Sequence, residues 1–181
     1  MSLKHAILSA LLERPSSGLE LARRFDRSIG FFWTATHQQI YRELARLEDN
    51  GLIRAIPAER PAQGQRKEYE VLSGGRAELT AWVALTDDPR PAREPLLLRL
   101  RAAAVLGSGS GDTLVAELER HLELHRQQLS EYEDIEERDF PEPMDAAAEP
   151  DRLRHLVLQA GIGRERFWIA WLDQALASLR E

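Results

Sequence analysis

Apolar residues recur along this chain with two different periods. Leu3, Ala6, Ile7, Ala10 and Leu11 share one face of a helix predicted over residues 3–12. Pro15-Ser16-Ser17-Gly18 reads as a loop in which Ser16 or Ser17 caps a short second helix, Leu19 to Phe25, with Leu21 and Ala22 pointing inward. The pattern breaks over residues 26–32, with Gly30 as the pivot. It resumes in a third helix that starts near Thr34 or Thr36, carries the stripe Ile40, Leu44, Leu47 and stops at Asn50-Gly51. Beyond that stop the period falls to two. Leu52-Ile53 and Ala55-Ile56 suggest a strand, and polar residues 57–65, with Pro61 and Gly64, suggest a hairpin tip. Arg66 to Leu72 sets Tyr69 and Val71 against Glu68 and Glu70, as a returning strand does. Ser73-Gly74-Gly75 ends it, and a fourth helix runs from Arg76 to Leu85 with Leu79, Trp82 and Val83.

Three helices, a two-stranded wing and a fourth helix, in that order, make a winged helix-turn-helix over residues 1–86. Thr86 to Arg93, with Asp87, Asp88, Pro89 and Pro91, reads as a linker to a wholly helical second domain over residues 94–181. There, Glu94 to Val105 is one amphipathic segment, stopped by Gly107-Ser108-Gly109-Ser110-Gly111. Asp112 can cap a long helix to about Arg138 carrying Leu114, Leu118, Leu122, Leu129, Tyr132 and Ile135. Pro150 opens a last helix to about Leu179, with Leu153, Val157, Ala160, Phe167, Trp168, Trp171, Ala175 and Leu179. Each long helix would span roughly 40 Å at about 1.5 Å per residue. A domain this small cannot cover two such stripes, so the mainly α chain is expected to pair through a coiled-coil-like domain as a homodimer.

Charge sharpens the division. The net charge is −6, but residues 1–85 hold 12 Lys and Arg against 10 Asp and Glu, whereas residues 86–181 hold 12 against 20. The acid lies in the second half, including the run Glu131, Glu133, Asp134, Glu136, Glu137 and Asp139, which reads as a solvated helix end that would repel DNA. The absence of cysteine excludes disulfides and thiolate chemistry and fits a cytoplasmic protein. No run is long and apolar enough for a membrane span, and the N-terminus lacks the features of a signal peptide.

A 100° step per residue on the third helix puts Ala35, Gln38, Gln39, Arg42, Ala45 and Asp49 outward when Ile40, Leu44 and Leu47 face in. Gln pairs bidentately with adenine, Arg with guanine or a phosphate, and the hydroxyl of Tyr41 can reach a phosphate at the flank. The expected DNA-facing set is Thr36, Gln38, Gln39, Tyr41, Arg42 and Arg46 on the helix, with Arg66 and Lys67 on the wing and Arg60 before its tip. An ordinary solvated helix face and hairpin are the plain alternatives. Arg23, Arg24 and Arg27 either grip phosphates or pair locally with Asp26. His121 and His125, with Glu117 one turn earlier, have a metal-like spacing but lack an evident third ligand, so no metal is expected. Phe167, Trp168 and Trp171 suit core or dimer packing; the sharper alternative is a pocket for a small aromatic effector, reaching Trp82. A glycine-rich phosphate loop and a nucleophile elbow are both missing, which points away from an enzyme and from any cofactor.

Three stretches carry a family resemblance. They are Ser17-Gly18-Leu19-Glu20-Leu21-Ala22-Arg23-Arg24-Phe25, the run from Phe32-Trp33 through Gln38-Gln39-Ile40-Tyr41 to Gly51-Leu52-Ile53, and Arg66-Lys67-Glu68-Tyr69 through Leu79. Together they resemble the PadR family of transcriptional regulators, and the second half resembles members with a separate helical domain. The resemblance implies a winged-helix dimer, usually a repressor of a pseudo-palindromic operator on double-stranded DNA, in some members responsive to phenolic acids or other small aromatic effectors. Gln38 stands where many members have Gly or Ser, so the operator does not transfer. A winged helix used for protein–protein assembly without DNA is the competing reading; Arg42, Arg46, Arg66 and Lys67 weigh against it.

Overall fold

Two reciprocal caps fix where the second and third helices begin. The Ser17 hydroxyl accepts from the Glu20 amide at 3.3 Å while a Glu20 carboxylate oxygen accepts from the Ser17 amide at 3.0 Å, and α2 (Gly18–Arg24) starts there. Thr36 and Gln39 repeat the exchange at 3.2 and 2.8 Å, and α3 (His37–Asp49) starts there. Each such cap is worth about 1 kcal/mol. The computed structural model describes residues 3–25, 35–56, 67–89, 93–107, 111–144 and 147–180. Gly30, the pair Asp26 and Arg27, the hairpin tip with Arg60, and Arg66 lie outside the described residues.

The chain divides into two units, residues 1–89 and 90–181. In the first, α1 (Leu3–Glu13) contributes Ile7, Leu8 and Leu11 to a core closed by Leu21, Ala22 and Phe25, by Ile40, Leu44 and Leu47 of α3, and by Ile53. Arg24, one of the candidate phosphate grips, instead ties α2 to the end of α1. It donates to the Ala10 carbonyl at 2.7 Å and pairs with Glu13 at 2.6 Å. Gly51, at φ 66°, turns the chain out of α3 through the left-handed region.

The wing strands follow as β2 (Ile53–Ala55) and β3 (Glu68–Val71), antiparallel, with Ile53 opposite Val71 and Ala55 opposite Tyr69. The sheet has a third member that the sequence pattern hides. Ser16–Ser17, read as loop, is a two-residue strand, β1, and pairs with Tyr69 and Glu68 on the other edge of β3. Two serines carry no alternation, so periodicity cannot announce them. The fourth helix, α4 (Ser73–Val83), starts three residues earlier than expected, because Ser73-Gly74-Gly75 form its first turn. A Cβ on Gly75 would lie 2.3 Å from the Leu52 carbonyl oxygen, so the glycine permits close packing and does not end the strand's order.

The second unit is helical. Pro95 opens α5 (Pro95–Leu106), and α6 (Gly111–Asp139) and α7 (Glu149–Arg180) form an antiparallel hairpin. The pairing is read from contacts that run in opposite directions: Glu136 meets His155, the Tyr132 ring meets Gly161, and His125 meets Glu165. Leu96, Leu118, Leu122, Leu172 and Leu176 pack together, with Ile169 and Trp171 against them. The α7 stripe expected from the sequence faces α6 only in part: Trp168, Trp171 and Ala175 are partly buried, and Trp168 stacks on His125 of α6. The inward positions are Leu158, Ile162, Glu165, Leu172 and Leu176, whereas Leu153, Val157, Ala160, Phe167 and Leu179 are exposed. Among the described residues no helix is long and apolar enough to cross a membrane.

Gly75→Ala should destabilise the first unit by about 1–3 kcal/mol through forced backbone movement. Gly74→Ala, whose Cβ would sit at an ordinary 3.6 Å from its neighbours, should be neutral or slightly stabilising. Urea melts of the two variants provide the comparison.

Candidate nucleic-acid interface

The α3 surface follows from its buried side. Ile40, Leu44 and Leu47 are at most 1% exposed, and that anchoring turns Gln38, Tyr41, Arg42, Ala45, Arg46 and Asp49 to solvent. Gln38 and Arg42 form no hydrogen bond or ion pair among the described residues. The helix macrodipole adds partial positive charge at its N-terminal turn, beside Gln38.

The other expected residues are more constrained. Thr36 is the N-cap, not a helical position, and Gln39 commits its side-chain oxygen to the Thr36 amide. A bidentate adenine contact needs both the oxygen and the nitrogen of the amide group, and the cap holds that oxygen toward the Thr36 amide. Ala35 precedes the helix and packs partly against the core, where an outward position had been expected. Arg46 is 3.8 Å from Glu43 on its own helix. Lys67 is exposed at the start of β3, 3.5 Å from Glu48. Tyr41 is half exposed, and one edge of its ring rests on Gly18.

The four aromatic candidates come from both units. Trp82 belongs to the first unit, where it stacks on His5 with ring centroids 4.5 Å apart and planes 13° from parallel. Glu78 sits beside the same His5 at 3.2 Å and also pairs with Lys4, and these partners hold its carboxyl below the usual range. In the second unit, Trp168 stacks on His125 (5.6 Å, 7°) and meets Phe167 and Trp171 edge-on at 5.7 and 5.5 Å. Phe167 is mainly exposed; Trp171 is partly buried against the leucine core.

A cavity of about 390 Å³ lies against that stack, lined by Leu96, Arg99, Glu117, Arg120, His121, His125 and Trp168 among others. Glu117 accepts from Arg120 and Arg99, each at 2.8 Å, and its carboxyl is held down to about 2, chiefly by the Arg120 hydrogen bond. His121 is 3.4 Å from the same carboxylate. His125 Nδ1 donates at 2.5 Å to Glu165, whose side chain is 2% exposed. His121 therefore serves a carboxylate one turn earlier on α6, and His125 serves one across the hairpin on α7. Among the described residues no group of three or more His, Asp and Glu is arranged to hold a metal. The buried Glu165 was missed in the sequence. Its signal was a lone acid at an apolar-stripe position.

Residues 7–81 match the transcriptional regulator PadR-like family, and residues 92–180 match the virulence activator alpha C-terminal family. A Mycobacterium tuberculosis protein described as a probable transcriptional regulator is 44% identical, over 100% of this chain and 99% of its own length. The chain belongs to the PadR-like family of transcriptional regulators. Two solved structures are similar over nearly the full length of the chain. The Vibrio cholerae virulence activator AphA is 30% identical, with a TM-score of 0.80 over 99% of this chain and 98% of its own. Bacillus subtilis PadR, a negative transcriptional regulator solved with operator DNA, is 28% identical, with a TM-score of 0.82 over 98% of each chain. The same PadR has been solved with p-coumaric acid, with a TM-score of 0.78 over 99% of each chain. The winged helix expected from the sequence is thus the fold observed, and PadR-like membership is established across the full length.

Thr36→Ala should remove about 1 kcal/mol of stability by opening the α3 cap. Gln38→Ala, on the open face of the same helix, should stay within about 0.5 kcal/mol of the parent. Denaturant titration of both variants separates cap from surface.

Proposed function

We propose that this PadR-like regulator binds a pseudo-palindromic operator as a homodimer and represses transcription by occupying it. The observation that carries the reading is the outward face of α3, with Gln38 and Arg42 free among the described residues, on a fold shared with a PadR solved on operator DNA. In this reading Gln38 and Arg42 read base edges in the major groove, and Tyr41, Arg46 and Lys67 contact phosphates. Arg66 joins the wing contacts by its place in the sequence. Thr36 and Gln39 act through the helix start they hold. A net charge of −6 is compatible with this, since counterion release depends on the local cationic surface.

The exposed apolar stripe of α7 supports pairing. Leu153, Leu156, Val157 and Phe167 are each about half exposed or more, a surface that a lone soluble chain would leave wet. A second copy of α7 would cover it. The cavity beside Trp168 supports binding of a small aromatic effector: Trp168 offers a flat wall, and Arg99 and Arg120 offer cationic groups for an acidic substituent. Release then follows if the effector binds the low-affinity state more tightly than the operator-bound one. Phe167 and Trp171 buttress that wall.

Duplexes selected from genomic fragments by the full chain give the operator, and a reporter driven by it gives the sign of regulation. Arg42→Ala and Gln38→Ala should each weaken specific binding by about 1–3 kcal/mol, with Arg42→Ala leaving molecular mass unchanged. Phe167→Asp with Leu156→Asp should halve the mass seen by light scattering. Binding by Arg42→Ala equal to the parent's would remove that residue from the reading surface, and an unaltered mass would remove the α7 stripe from the interface.

A further inference from the structure

Gly18 occupies the first position of α2, held there by the Ser17–Glu20 cap. Its backbone has no need of glycine: among the described residues only Gly51 and Gly107 take a positive φ. In an ordinary helical position alanine is favoured over glycine. What Gly18 supplies is space. A Cβ there would lie 2.4 Å from Tyr41 Cε1, 3.0 Å from Cδ1 and 3.3 Å from Cζ. The phenol ring of Tyr41 therefore rests edge-on against the bare Cα, while nearly half of the residue stays open to solvent on the outward face of α3.

We infer that Gly18 is a positioning residue for operator binding, acting through Tyr41. This rests on the DNA-binding reading above. The ring extends from the second turn of α3 onto the first residue of α2, and both helices start at a capping box. A contact this short cannot persist, so a methyl group at position 18 forces the ring to rotate about χ1 or χ2. That rotation moves the hydroxyl away from the place where it would donate to a backbone phosphate. A neutral donor contributes affinity without releasing a counterion, so its loss lowers affinity while the salt dependence stays as it was.

The test is a double-mutant cycle on the full chain, using the duplex that the parent protein selects. Gly18→Ala and Tyr41→Phe should each weaken binding about tenfold, the size of a hydrogen bond to a charged group. Gly18→Ala added to Tyr41→Ala should change affinity less than twofold, and the salt slope should match the parent's throughout. With 3-fluorotyrosine incorporated, the fluorine resonance of Tyr41 should shift in Gly18→Ala, and melting should show both variants folded. An equal loss from Gly18→Ala in the Tyr41→Ala background would place the effect in α2 itself and overturn the inference. If Gly18→Ala proves unstable, Tyr41→Phe with Gly18 intact decides, since unchanged affinity there overturns it too. A parent protein that selects no duplex would defeat the DNA-binding reading itself; a parent that binds while the cycle is additive defeats only the role of Gly18.

Discussion

The burial of three side chains on α3 is the constraint from which the rest of the first unit follows. Ile40, Leu44 and Leu47 enter a core made by α1, α2 and β2, and this fixes the rotation of α3 about its axis. Once the rotation is set, Gln38 and Arg42 have no direction available except outward. The two capping boxes then set how far the chain advances before each helix begins. The proposed reading face is therefore a by-product of hydrophobic packing and two hydrogen-bonded corners.

Much of this was visible in the sequence because the relevant signals are periodic. The stripe on α3, the Asn50-Gly51 stop and the alternation of Glu68 to Val71 all have a physical period or a defined stereochemistry. What stayed hidden had no period. Ser16–Ser17 is too short to alternate, and its strand character comes only from the edge of β3 it meets. Gly74-Gly75 looked like punctuation, yet the space under Leu52 that Gly75 requires belongs to a distant part of the chain. The candidate site shows the same divide. Outward direction was legible for Gln38 and Arg42, whereas Gln39 faces out and is nevertheless occupied by a local cap.

The second unit shows a different limit. α7 carries apolar residues on two faces, and periodicity cannot say which face a neighbour within the chain will take. The inward face contains Glu165, whose charge makes the stripe look broken; the face without an acid reads as the better core. Folding chose the broken one, because His125 supplies the buried carboxylate with a partner at 2.5 Å. The uninterrupted face was left for the proposed pairing.

That choice also indexes the hairpin. Tyr132 is almost fully buried, and its ring fits because Gly161 opposite has no side chain, a Cβ there lying only 3.1 Å from the ring. Sliding α7 by one heptad would bring Arg154 or Trp168 to that spot, and neither leaves room for the ring. A slip that sets Leu118 opposite Glu165 would also strand a carboxylate among leucines, at a cost of about 3–5 kcal/mol. Two long helices with repetitive leucines could otherwise slide past one another; here a notch and a pin hold them at a single setting.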